Sequence, residues 1–297
     1  MTETKKILLI GRSGRGKSTL ANVITEAENK FKESGGSASE TRKIQFEEFA
    51  DKENNINYLV IDTPGIGDTK MSDNEVLDII AEAVYLVRNG LSHVFFVIDG
   101  RFDQYEMITY NLLRETIFDQ DITKHTTITR TRFKDFKNKK KCQADIDLMV
   151  KEAEDKKSKL KQDISAKEKE LANLSSDSNQ YQELLEEIKQ LQKDLKVVNL
   201  SEIIESCQKK VVYVDNPPIS IAIADNEDEK RKREREEELQ SNKKKRAKSR
   251  EKVLEHLKNN CQNDSYKPEK LTNLSNEITE DMDNLLRSRK EYEEEMK

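Results

Sequence analysis

Apolar positions in the first part of the chain follow two rhythms. Short apolar runs alternate with stretches in which apolar residues recur every three or four positions. Lys6-Ile7-Leu8-Leu9-Ile10, stopped by Gly11, fits a strand buried on both faces. Lys43–Phe49 alternates through Ile44 and Phe46. Tyr58–Ile61, His93–Ile98, the β-branched Thr126–Thr129 and Val211–Val214 are further strands. Between them Lys17–Ala27, Val76–Val87 and Glu106–Phe118 have helical spacing. Strands alternating with helices predict an α/β fold with a mostly parallel sheet flanked by helices.

The alternation breaks before the last strand. Ile164, Leu171 and Leu174 form one stripe, and Leu184, Ile188, Leu191 and Leu195 another. The polar cluster Ser175-Ser176-Asp177-Ser178-Asn179 separates them. Two stripes joined by a short turn predict an antiparallel helical hairpin (coiled-coil-like) at residues 143–196. It reads either as a surface-packed helix pair or as an arm for a protein partner. Beyond Asp225 the chain is dense in charge, with a thin stripe at Val253, Leu254 and Leu257. A final helix is expected over Glu269–Glu295.

Composition supports a core with appendages. Charged residues make up 37% of the 297 and hydrophobic ones 34%, a balance that favours long solvated helices over one large globule. The net charge of −5 shows no basic excess, hence no strong nucleic-acid signal. No run of about 18 apolar residues appears, so no transmembrane segment is expected, and the start of the chain does not read as a signal peptide. Cys142, Cys207 and Cys261 stand far apart, which fits a reducing compartment and a cytoplasmic protein. Lys230–Arg233 and Lys243–Lys248 also look like a two-part nuclear import signal, though a solvated helical face is the plainer reading.

The chemistry concentrates in two short segments. Gly11-Arg12-Ser13-Gly14-Arg15-Gly16-Lys17-Ser18, followed by Thr19, fits GxxxxGK[ST] between a strand and a helix. Such a loop turns its backbone N–H groups toward phosphates, and the helix adds its positive end. Lys17 is expected at the β- and γ-phosphates and Ser18 on Mg²⁺. Asp62-Thr63-Pro64-Gly65 closes a strand about 45 residues after that loop, where a carboxylate holds Mg²⁺ and Gly65 can offer its N–H to the γ-phosphate. Thr41 is chosen over Ser37 and Ser39 as a third metal ligand, in a loop that a γ-phosphate would order.

Together GRSGRGKST at 11–19, SETRK at 39–43, IDTPGIGDT at 61–69 and VIDGRFDQYE at 97–106 resemble the GIMAP/AIG-type immunity-associated GTPases, relatives of the septins. The likeness covers about residues 5–260, weakly across the helical insertion. It implies a six-stranded P-loop GTPase core, GTP/GDP as ligand with Mg²⁺, and a homodimer or homo-oligomer formed through the switch face. The chain then divides into an AIG-type G domain at 1–142 and 197–224, the hairpin insertion at 143–196, and a charged C-terminal extension at 225–297.

Two departures from the family pattern stand out. Guanine-reading folds place an Asp after the strand that here ends Thr129-Arg130-Thr131-Arg132-Phe133, and no acid stands at that offset, Asp135 lying further along. Arg132 cannot accept guanine's N–H groups. It could stack on the base or bind its O6/N7 edge. Asn216 matches the family's base-flanking Asn. After the DxxG motif Ile66 replaces the water-orienting Gln of many GTPases, so hydrolysis is expected to be slow. Arg101 is the candidate arginine finger reaching across a dimer, against a local pairing with Asp103. The leading expectation is therefore a slow GTPase switch. The alternatives are a nucleotide-binding scaffold with negligible turnover, or an ATPase using the same P-loop.

Overall fold

A buried parallel strand must satisfy its backbone through neighbours on both edges and its side chains on both faces. In the computed structural model the run at 7–10 does this at the centre of a six-stranded sheet. The structure describes residues 4–27, 30–33, 43–66, 73–87, 90–116, 120–176, 178–220, 229–261 and 266–267. The strands are β1 (Thr4–Ile10), β2 (Gln45–Asp51), β3 (Ile56–Asp62), β4 (His93–Asp99), β5 (Thr126–Thr131) and β6 (Val211–Tyr213). The helices are α1 (Lys17–Thr25), α2 (Asp73–Leu86), α3 (Gln104–Thr116), α4 (Lys139–Leu171), α5 (Asn179–Val197), α6 (Leu200–Ser206) and α7 (Glu229–Asn260). Sheet order is β2-β3-β1-β4-β5-β6. Only β2 runs antiparallel, to β3, and the other pairings are parallel. The mostly parallel α/β architecture is the one the alternation predicts.

The two-residue period of a strand sorts the core into two layers. Leu8 and Ile10 of β1 and Val94, Phe96 and Ile98 of β4 face a layer built from α2, α3, α6 and the inner half of α4. Ile7, Leu9, Phe95 and Val97 face the other way, onto Leu20 and Ile24 of α1. That second layer also takes Val253, Leu257 and Cys261 from α7 and just beyond it. The charged segment read as an extension thus supplies core residues at its far end, while its first turns stay exposed.

Both hairpin helices start on side-chain caps. Asn138 accepts from the Lys141 amide and Ser178 from the Tyr181 amide, satisfying N–H groups that a helix start leaves without partners. Met149, Ala153 and Leu160 of α4 pack into the main core. Ile164, Leu184 and Ile188 form a separate cluster further out, with Leu171, Leu174, Leu191 and Leu195 against it. The inner half of the hairpin therefore lies on the globular part, and its outer half is held by its own seam. The helix expected over 269–295 lies outside the described residues. Among the described residues no helix is long and apolar enough to cross a membrane.

Candidate functional site

The site forms at the C-terminal ends of the central strands, where parallel α/β sheets open a crevice. Leaving β1, the chain turns at Gly11, whose φ is +139° and where a Cβ would stand 2.4 Å from the Val97 carbonyl oxygen. Only glycine fits there. The loop then enters α1, with Gly16 also at positive φ.

Lys17 is buried and donates to the carbonyls of Gly11 at 3.2 Å and Arg12 at 3.0 Å. Ser18 Oγ donates to Asp62 Oδ2 at 2.6 Å. Asp62 is fully buried, and its other carboxylate oxygen has no hydrogen-bond partner. Burial pushes the Asp62 carboxyl up to about 6, opposed by the Lys17 charge and the Ser18 hydrogen bond. A buried carboxylate with one oxygen unsatisfied is costly and fits a cation. One hydroxyl and one carboxylate are the oxygen donors that Mg²⁺ takes when phosphates and water complete its shell. Among the described residues no group of three His, Cys, Asp or Glu could hold a metal by itself. Thr41, the third expected ligand, lies outside the described residues.

The second loop lies directly on the first. Ser13 N–H donates to the Ile66 carbonyl at 3.0 Å and Ile66 N–H to the Gly11 carbonyl at 3.3 Å. A Cβ on Gly65 would fall 2.3 Å from Ser13 N, so no side chain can stand there without parting the loops. Ile66 is buried in the core. The loop arginines are engaged at their outer ends: Arg12 sits over the Tyr105 ring and Arg15 beside Glu106 of α3.

At the far end of the crevice Thr131 Oγ1 lies 2.8 Å from the Arg15 carbonyl and 3.0 Å from that of Ile98, donating to either. Arg132, at φ +53°, pairs with the Asp99 carboxylate and donates to the Gly14 carbonyl at 3.2 Å. Its guanidinium is thus engaged by protein groups, tying the β5 end to the phosphate loop. Phe133 N–H donates to the Val214 carbonyl at 3.1 Å, joining that end to the segment carrying Asn216. Both amide atoms of Asn216 are buried and without hydrogen-bond partners. An amide presents a donor and an acceptor, and here both are left without a protein partner. Asp135 pairs instead with Lys141 at 2.9 Å.

Arg101 is 72% exposed and its partner is Glu152 of α4, at 3.1 Å, rather than the Asp103 considered from sequence. Sequence reasoning did not single out Asp99, Thr131 or Glu106. Asp99 and Thr131 end strands next to the phosphate loop, which is the one signal that marks them.

A family model described as AIG1 family matches residues 5–211. No curated protein sequence matches the chain. Among solved structures, Toc33 from Arabidopsis thaliana in complex with GDP and Mg²⁺ is 15% identical, covering 72% of this chain and 71% of that one, with a TM-score of 0.42. Era in complex with MgGDPNP and a 16S ribosomal RNA segment is 17% identical, over 51% of this chain and 48% of that one, with a TM-score of 0.40. The G domain of the T. maritima FeoB iron transporter is 21% identical, over 43% and 72%, with a TM-score of 0.30.

Proposed function

This chain belongs to the AIG1 family, and we propose that it is a guanine-nucleotide switch that binds GTP and GDP with Mg²⁺ and hydrolyses GTP slowly to GDP and phosphate. The observation that carries this reading is the buried Asp62 carboxylate, one oxygen taken by Ser18 and the other unsatisfied, beside a complete phosphate loop. Ser18 and Asp62 would hold Mg²⁺ there, and the ion would supply charge neutralisation at the phosphates.

The protein groups have separate tasks. The N–H groups of residues 14–18 cradle the phosphates, the Ser13 N–H being taken by the Ile66 carbonyl. Lys17 exchanges its carbonyl partners for phosphate oxygens. Gly65 brings its N–H to the γ-phosphate side, since its loop already rests on Ser13. The Asn216 amide meets the purine edge. Ile66 has no group to orient the attacking water, which makes unaided turnover slow and favours, as a second reading, a nucleotide-dependent scaffold with negligible turnover. Among the described residues Arg101 is held by an exposed ion pair with Glu152, an interaction worth at most about 1 kcal/mol. It can leave that pair to act as a finger in a facing second copy. Cytoplasmic residence belongs to the same proposal.

Calorimetric titration of the nucleotide-free chain with GDP and with ADP, in Mg²⁺, tests it. GDP is expected to bind with micromolar or tighter affinity and ADP about a hundredfold more weakly, a gap of ~2.7 kcal/mol. Equal binding, or a preference for ADP, overturns the guanine assignment.

A further inference from the structure

The loop that carries Asn216 is poorly equipped to hold itself. It follows β6, a three-residue strand that is last in the sheet order. Pro217 and Pro218 come next, and proline has no N–H to donate. Only carbonyls remain there for backbone anchoring, and donors must come from elsewhere.

They come from α7. Arg246 Nε donates to the Pro217 carbonyl at 2.7 Å and Asn242 Nδ2 to the Pro218 carbonyl at 2.9 Å. Ser249 Oγ takes the Asp215 N–H at 3.0 Å and donates back to the Asp215 carbonyl at 2.9 Å. The rest of the Arg246 guanidinium makes a two-pronged pair with Glu33, Nη1 to Oε1 at 3.0 Å and Nη2 to Oε2 at 2.8 Å. Glu33 Oε1 also accepts from Asn22 of α1 at 2.8 Å. Asn22 clamps Phe31 as well, donating to its carbonyl and accepting from its N–H. Burial raises the Glu33 carboxyl, but the hydrogen bonds from Arg246, Asn22 and Thr19 prevail and hold it below the ordinary range. Thr19 and Asn22 belong to the helix that begins at Lys17 and Ser18.

We propose that Arg246 is a positioning residue for the nucleotide site: it forms a strut, α1–Glu33–Arg246–Pro217, that sets the span between the phosphate cradle and the base-facing Asn216. Arg246 is only 8% exposed, so its guanidinium must be paired to be there at all. Bidentate geometry fixes distance as well as charge, which is what a strut requires and a lysine cannot supply. The inference deepens the nucleotide-binding reading and rests on it. It assigns α7 a role in a site from which its own residues are absent, in a part of the chain beyond the residue 211 at which the family match ends.

The test compares two ligands on the full chain in Mg²⁺: GDP, which spans both ends, and inorganic pyrophosphate, which engages only the phosphate end. Arg246→Gln is expected to weaken GDP by about tenfold, ~1.4 kcal/mol, and to leave pyrophosphate within about twofold. Arg246→Lys is expected to fall between. Glu33→Gln should weaken GDP in the same selective way, and the double variant should lose less than the sum, since both act through one strut. Parallel loss of both ligands would mark Arg246 as a general fold contact and overturn the inference, as would unchanged GDP binding. The wild-type titration separates the two levels. A chain that binds pyrophosphate but gains nothing from guanosine overturns the guanine reading before any variant is made. A chain that prefers GDP and keeps that preference in Arg246→Gln overturns the strut alone.

Discussion

Glu106 and Arg15 form an ion pair at 2.7 Å, and the Glu106 side chain is fully buried. Burial therefore dominates and pushes the Glu106 carboxyl up to about 7 from an ordinary 4.5, with Arg15 opposing. The folded chain then keeps a proton that the unfolded chain releases. The Glu106 contribution to stability falls as pH rises between about 4.5 and about 7 and is flat outside that window. Denaturation of nucleotide-free protein across the window should show wild type losing stability relative to Glu106→Gln. Parallel profiles would mean that Glu106 is ionised when folded. Gly65 is the other telling residue. Its missing Cβ permits backbone contact between the two phosphate-facing loops, and Gly65→Ala should weaken binding of a non-hydrolysable GTP analogue by about tenfold or more. Unchanged affinity would show that the loops part without cost.

Among the elements, α7 departs most from its sequence reading. Its mean character is that of a solvated helix, yet Val253 and Leu257 are fully buried against β4 and β6 residues. Leu257→Ala is expected to cost ~2–5 kcal/mol, since a buried leucine leaves a cavity behind. Glu236→Ala, on an exposed turn of the same helix, should change stability by no more than ~0.5 kcal/mol. Urea midpoints measure both. Similar small effects would remove α7 from the core. The hairpin differs in kind: its outer seam at Ile164, Leu184 and Ile188 is separate from the main core.

At the scale of the whole molecule, the proposed arginine-finger role of the exposed Arg101 makes turnover depend on a second copy. Specific GTPase activity should rise with protein concentration in wild type and stay flat in Arg101→Ala. A flat wild-type profile would favour the scaffold reading. Tyr105 and Ile108, on α3 a few residues after Arg101, are exposed apolar side chains.

The strands and the phosphate end of the site were legible because their information is local. A buried central strand must be an apolar run, a phosphate loop must be glycine-rich, and both fit within a few consecutive residues whose backbone does the work. The side-chain pairing at the end of β5 and along α7 was not legible. The Asp99 and Gly14 partners of Arg132 come from segments distant in the chain, and Arg246 reads as one charge in a basic run until Glu33 and Pro217 surround it. The same side chain is a solvated surface group or a buried strut according to what distant segments place beside it. Sequence by itself therefore determined the mostly parallel sheet and the glycine-rich loop between β1 and α1. Tertiary structure alone decided which long polar side chains are desolvated and paired, because that cost is met only where chain-distant partners converge.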